Sequence, residues 1–299
     1  MMIRHKLAQK VGFESHAHRT TSDKMAETPQ DVLRFLDALS DAIREKAEQE
    51  AEMLRKAKMD LEGSSELFAW DISYYIGRVK SRECNLDGTS LSEYFTLGSC
   101  LDGLRMVCDG LFGSSLEEVP IESRENWAAS EAPVGGDGGV RKLVLRHDVE
   151  GVLGTVYLDL HRRDGKFGHA AHFTVRCGCA ITPEDGDAER GPTGYQLPTV
   201  VLVCNFGLPE PPRYGARAGR EALGMEGDIA KHLDDSRLMS HSEAETLFHE
   251  FGHALHSLLS RTELQHVSGT RVPVDFCEIP SHLMEHFVWD RNVLRKFAR

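Results

Sequence analysis

No stretch of the 299 residues approaches the roughly 20 consecutive apolar residues that a membrane-spanning helix requires. The opening run MMIRHKLAQKVGF is basic, but it has neither a continuous apolar core nor a small-residue cleavage site. It does not read as a secretory leader, and an ordinary helix is expected there. An excess of positive charge is also missing. The formal net charge is −12, scattered along the chain rather than gathered in a tail. That argues against nucleic acid as a partner and suits cationic ligands. Paired CxxC spacings are absent from the seven cysteines, Cys84, Cys100, Cys108, Cys177, Cys179, Cys204 and Cys277, and the lone Cys177-Gly178-Cys179 is too short for a zinc knuckle. A reduced, intracellular chain without a disulfide framework is expected. No internal repeat is visible.

What the sequence does contain begins with helices. Thr28 offers an N-cap, Pro29 suits the first helical position and Asp31 complements the helix dipole, which predicts one long helix over 28–62 ended by Gly63-Ser64-Ser65. Val32, Phe35, Leu36, Leu39, Ile43, Ala47, Leu54 and Leu61 recur at steps of three and four, predicting a single buried stripe. A shorter helix is expected over 66–82 with Trp70, Tyr74 and Tyr75 in its core, then helical pieces over 91–100 and 101–112. After EAPVGGDGGV the period changes. KLVLRHDV, GTVYLDLHRR, HAAHFTVRC and LPTVVLVCNF alternate or run β-branched between glycines and prolines, predicting four strands of a small sheet. The expected class is mainly α with a small β-sheet (α+β). Its expected parts are a helical segment over 1–128, a flexible connection over 129–140, the sheet over 141–207, a loop over 208–240 and helices over 241–299.

The chemistry concentrates in ETLFHEFGHALHS, residues 245–257. Ser242 and Glu245 suggest a capping box that starts the helix about one turn before its first ligand candidate, His249. At about 100° per residue, His253 falls about 40° from His249 and His256 about 20° to the other side. Leu247, Phe248, Phe251, Ala254, Leu255 and Leu258 gather on the opposite side of the helix. His249 and His253, at i and i+4, can turn two ring nitrogens toward one ion, and Glu250 projects beside them as a base for water. This is the His-Glu-x-x-His pattern of a zinc peptidase, and one Zn2+ per chain is expected.

A third protein ligand must come from elsewhere. His256 lies seven residues, about 10.5 Å along the axis, beyond His249, too far to converge without a bent helix. Glu278, opening a second helix after Ser268-Gly269 and RVPVDF, is the better placed candidate. The alternative role for Glu278 is a capping carboxylate at that helix's start. Asp275, Ser281 and Glu285 are candidate supporting partners of the ligands, Glu285 because it stands seven residues from Glu278 on one helix face. His282 and His286 share that helix and either line the site or pack in the core. His147, His169 and His172 flank strands and read as ordinary surface or core residues.

At these residues the sequence resembles a known family. FHEFGHALHS followed by RTELQHVSGTRVPVDFCEIPSHLMEHF is similar to the zinc metallopeptidases of the thimet oligopeptidase and neurolysin family. The wording QHVSGTRVPVDFCEIPS is nearest a mitochondrial branch. IRHKLAQKVGFESHAHRT, WDISYY, EYFTLGSCLDGL, HDVEGVLGTVYLDLHRRDGK, AHFTVRCG and GYQLPTVVLVCNF resemble successive blocks of that branch. The resemblance implies His249, His253 and Glu278 as zinc ligands and Glu250 as general base, with His256 as the alternative third ligand. It implies a zincin-type helix core in a two-lobed, channel-forming fold. It further implies removal of an N-terminal octapeptide from imported precursors in the mitochondrial matrix, after their first processing cleavage. The alternatives are a cytosolic-type oligopeptidase acting on short peptides, or a catalytically impaired zinc-binding fragment. Members of the family are more than twice this length, so the chain is expected to be truncated at both ends. The family's later segment of oxyanion donors has no counterpart in these residues.

Overall fold

The computed structural model describes residues 1–84, 91–128, 139–181, 194–207 and 237–298. The expected connection over 129–140, except its last two residues, and the expected loop over 208–240, except its last four, lie outside the described residues. So does the acidic stretch PEDGDAERGPTG, apart from its final glycine. The chain divides into two units, Met1–Leu91 with Pro273–Phe276, and Ser92–Val272 with Cys277–Arg299.

The first unit is helical: α1 (Met2–Lys10), α2 (His16–Thr21), α3 (Pro29–Glu62) and α4 (Ile72–Cys84). The long helix forms as its sequence signals require. Thr28 Oγ1 accepts the Asp31 N–H at 3.2 Å, Pro29 occupies the first turn, and Gly63 ends the helix at φ 72°. The expected buried stripe is not formed. Phe35 is 65% exposed, and Leu36, Leu39, Ile43 and Leu61 are exposed too. Helical periodicity reports one apolar face but not what covers it, and within this unit α4 and α2 cover only part of α3. α4 starts at Ile72 rather than near Glu66. The Asp71 carboxylate accepts the Phe68 N–H at 2.9 Å and Lys58 Nζ at 2.6 Å, and these bonds fold residues 68–71 into a turn ahead of the helix. Of the three aromatic residues expected in the core only Tyr75 is buried, with its hydroxyl donating to Glu62 at 2.7 Å. Trp70 is 76% exposed and Tyr74 is exposed as well.

The second unit holds a mixed five-stranded sheet and the histidine helix. Of the two helical pieces expected over 91–100 and 101–112, residues 91–92 are helical and 93–94 turn, after which one continuous helix, α5 (Leu97–Phe112), runs across the expected break at 100–101. Thr96 and Ser99 form a reciprocal capping box that sets its start, each hydroxyl accepting the other's N–H at 3.0 Å. At Gly113, φ 57°, the chain turns into β1 (Ser114–Val119), a strand the sequence reading did not anticipate. The four expected strands are present as β2 (Arg141–His147), β3 (Gly151–His161), β4 (Ala171–Arg176) and β7 (Thr199–Phe206). A separate two-stranded piece pairs β5 (Cys179–Ala180) with β6 (Tyr195–Gln196). The sheet order is β1-β2-β3-β7-β4, antiparallel except for the central β3–β7 pair. Val200, Leu202 and Cys204 on one face of β7 are fully buried, and Val201 and Val203 on the other are only 9% and 8% exposed, as expected of a strand covered on both faces.

Four helices follow: α6 (His241–Leu258), the four-residue α7 (Val274–Cys277), α8 (Ile279–Glu285) and α9 (Arg291–Phe297). α6 packs on β7, β4 and β3. Leu247, Phe248, Phe251, Ala254, Leu255 and Leu258 are buried, each large one worth about 1.5 to 3 kcal/mol over exposure. At the close of this contact a Cβ on Gly154 of β3 would stand 2.6 Å from Leu258 Cδ2 and 2.8 Å from the Pro198 carbonyl oxygen, a backbone atom, so a side chain there forces a shift.

At the sheet's margin Glu125 accepts two bonds from Lys142 Nζ, at 2.7 and 3.0 Å, and one from the Tyr157 hydroxyl at 2.7 Å. These bonds hold its pKa down at about 2, below the ordinary 4.5. A carboxyl whose pKa is depressed on folding contributes stability that is present above about 4.5 and lost as pH falls toward 2. Glu125→Gln is therefore expected to lower the melting temperature near neutral pH and to converge with wild type near pH 2. A gap that stays constant from pH 6 to pH 2 would show that the ion pair has no part in acid stability.

Candidate metal centre

α6 begins two residues earlier than the expected capping box of Ser242 and Glu245. The cap is Ser240, whose Oγ accepts the Glu243 N–H at 3.2 Å, while Glu243 Oε2 accepts the Ser240 N–H at 2.8 Å. This start brings His241 into the helix, where its Nε2 lies 2.8 Å from the Val288 carbonyl oxygen. Glu245, the expected capping partner, instead accepts the Trp289 indole N–H at 2.6 Å.

The apolar face of α6 turns His249 and His253 toward the start of α8. Glu278 sits between α7 and α8 at the N-cap position of α8, with φ −87° and ψ −5°. Its carboxylate makes no capping bond. Glu278 Oε2 lies 3.4 Å from His249 Nε2 and 3.2 Å from His253 Nε2. Ser281 Oγ, fully buried, donates to that same oxygen at 2.8 Å and so fixes the carboxylate's direction. Glu285 Oε1 lies 2.5 Å from His249 Nδ1, on the ring's other edge.

Two ligands on a tetrahedral zinc, each 2.0 to 2.1 Å from the ion, stand about 3.3 Å apart. The two measured separations bracket that value, and the three donor atoms lie within 4.8 Å of one another. The residues present therefore fit the ion. His256 belongs to neither group of metal-capable side chains found among the described residues. Asp275 is in neither group, and within the first unit its Oδ2 accepts the Ala26 N–H at 3.0 Å.

Glu250 is only 7% exposed, and its Oε2 has no hydrogen-bond partner among the described residues. Burial pushes its pKa up and Glu278 adds to the rise, against a lowering by His249. A buried carboxylate oxygen without a partner is costly and rare, and such groups concentrate where a proton must be moved. Burial lowers the pKa of His253, which favours the neutral imidazole a metal needs. Burial alone would raise Glu278, but the Ser281 hydroxyl and the neighbouring imidazoles outweigh it and hold that group down as a carboxylate.

Two further histidines stand beside the cluster. His172 of β4 lies with its ring centroid 6.2 Å from that of His253 and its Nε2 3.2 Å from Ser257 Oγ. The reading of His172 as an ordinary strand residue missed this, and no spacing along the chain links it to a helix some 80 residues later. His282 lies 5.4 Å from His249, ring to ring, and its position three residues before Glu285 on one helix was the signal for it. Among the described residues β4 is an edge strand with β7 on one side only, so an unpaired strand edge runs beside the histidine helix.

A helix carrying His-Glu-x-x-His, faced by a glutamate from the next helix and backed by a mixed sheet, is the arrangement of a metal-dependent hydrolase. The chain belongs to peptidase family M3, a metallopeptidase family whose model matches residues 1–299. The family is zinc-dependent. Its relatives include the mitochondrial intermediate peptidase of Arabidopsis thaliana, 39% identical over 99% of this chain. The human protein of that name is 38% identical over 98% of the chain, and that of Yarrowia lipolytica 35% over 100%. The chain spans 36 to 37% of the length of these three relatives.

Proposed function

We propose that this chain carries the zinc site of a mitochondrial matrix peptidase that removes an N-terminal octapeptide from imported precursors already cut once. The observation that carries the reading is the convergence of His249, His253 and Glu278 beside a buried, unpartnered Glu250 oxygen. In this reading His249, His253 and Glu278 hold the ion, with Glu278 rather than His256 as the third ligand. Ser281 orients Glu278 and Glu285 orients His249. Zinc, when bound, acidifies water and polarises the scissile carbonyl. Glu250 accepts the water's proton and returns it to the leaving amine, a role suited to a carboxyl whose burial lifts its basicity. The free edge of β4 receives the substrate as an added strand, which requires an extended backbone and little sequence information. The channel between two lobes belongs to the same reading and restricts access to short or unfolded segments. Net negative charge favours basic presequences.

The test is to incubate the longest protein that contains this chain with a precursor already processed once, and to read the products by mass spectrometry. The expected products are a free octapeptide and a mature protein eight residues shorter. Efficient cleavage of free peptides with the precursor left untouched would replace this reading with that of an oligopeptidase. Metal uptake without any cleavage would make the chain a zinc-binding remnant.

A further inference from the structure

The two ring nitrogens of His249 face different carboxylates. Nε2 meets Glu278, while Nδ1 meets Glu285. His282 Nδ1 lies 3.1 Å from the same Glu285 oxygen. One donor atom from each of His249, His282 and Glu285 lies within 4.8 Å of the other two. We propose that His249, His282 and Glu285 form a second site for a divalent transition-metal ion, on the opposite edge of the His249 ring from the first.

Two imidazoles and one carboxylate are the same donor chemistry as the first cluster, suited to zinc, cobalt or copper rather than to magnesium or calcium. The position is open to solvent, since the His282 side chain is 62% exposed and those of His249 and Glu285 are each 24% exposed. An ion there replaces the proton held between His249 Nδ1 and Glu285, and that proton leaves to water. Glu285 must also draw back, because ligands sharing a tetrahedral ion stand about 3.3 Å apart and this pair stands at 2.5 Å. The second site is therefore weaker than the first, whose separations need no such change. Filling it removes the carboxylate that orients His249, so metal in excess of one ion per chain inhibits. This inhibition rests on the first cluster being catalytic, whereas the binding of the second ion does not.

The test is equilibrium dialysis of the full chain against rising zinc, with bound metal counted by mass spectrometry. Wild type, His282→Ala, His282→Asn and Glu278→Ala are compared. His282 is exposed, so both of its variants are expected to keep the fold, checked by their melting curves. Wild type is expected to take up two ions in a tight and a weaker step, both His282 variants to lose the weaker one, and Glu278→Ala to keep it. Saturation at one ion that is unaffected at His282 and lost in Glu278→Ala overturns the second site and leaves the first standing. A second ion that persists undiminished in both His282 variants also overturns it. One ion lost at His282 and kept in Glu278→Ala supports the second site and removes the first.

Discussion

Replacing Glu250 with glutamine is expected to lower kcat by about 10²- to 10⁴-fold, the usual worth of a positioned general base, while zinc content stays at one ion. Glutamine keeps the shape and burial of the side chain but cannot accept a proton. The ion is retained because Glu250 is not among the three converging donors His249, His253 and Glu278. Stability should move the other way from activity. In the wild type a 7% exposed carboxylate carries an oxygen without a hydrogen-bond partner among the described residues, and a neutral amide there costs less to bury. The melting temperature of Glu250→Gln is expected to match or exceed that of wild type, as happens where a strained group is kept for function. Glu278→Ala should lose both zinc and cleavage, and His256→Ala should keep the zinc. Cleavage that survives in Glu250→Gln would move the base elsewhere. Zinc kept in Glu278→Ala but lost in His256→Ala would reverse the choice of third ligand.

Local chemistry in the sequence was read correctly where one residue type has one job. Thr28 before Pro29, the β-branched run in β7 and the i, i+4 histidines each specify a local geometry that the structure adopts. What sequence left out depends on partners. The stripe on α3 reads as core because periodicity counts apolar residues on a face, yet Phe35 and Ile43 remain exposed. β1, sequence SSLEEV, lacks β-branched density and forms because β2 pairs with it along its whole length. The cap of α6 was placed at Ser242 with Glu245, two residues too late, because the equivalent pattern Ser240-x-x-Glu243 overlaps it and the contact of His241 with Val288 is not written in local sequence. His172 is beyond any local rule, since β4 reaches His253 only through the sheet's topology. Glu285 was legible as a face partner of Glu278, but the nitrogen of His249 that it takes was not.

Gly252→Ala should be among the most damaging single-methyl changes in the chain, against the helix scale. In an open helix, alanine is favoured over glycine by about 1 kcal/mol. Gly252 lies in α6 between Glu250 and His253, where a Cβ would stand 2.5 Å from Ser281 Cα and 2.6 Å from the Pro280 carbonyl oxygen. Both are backbone atoms of α8, so no side-chain rotation can relieve the contact. The helices must separate, and the residue pushed is the one whose hydroxyl holds Glu278 Oε2. Overpacking of this kind typically costs about 1 to 3 kcal/mol. Displacing the group that orients a ligand typically weakens metal binding by about 10- to 100-fold. The measurement is zinc affinity by chelator competition together with melting in the presence and absence of zinc. Gly110→Ala is the control, because it sits in α5 with nothing within 4 Å of an added Cβ and should be neutral or slightly stabilising. A Gly252→Ala protein that melts like Gly110→Ala and binds zinc as tightly as wild type would mean that α6 and α8 are not held at this distance. The pairing of Glu278 with His249 and His253 would then lose its structural basis.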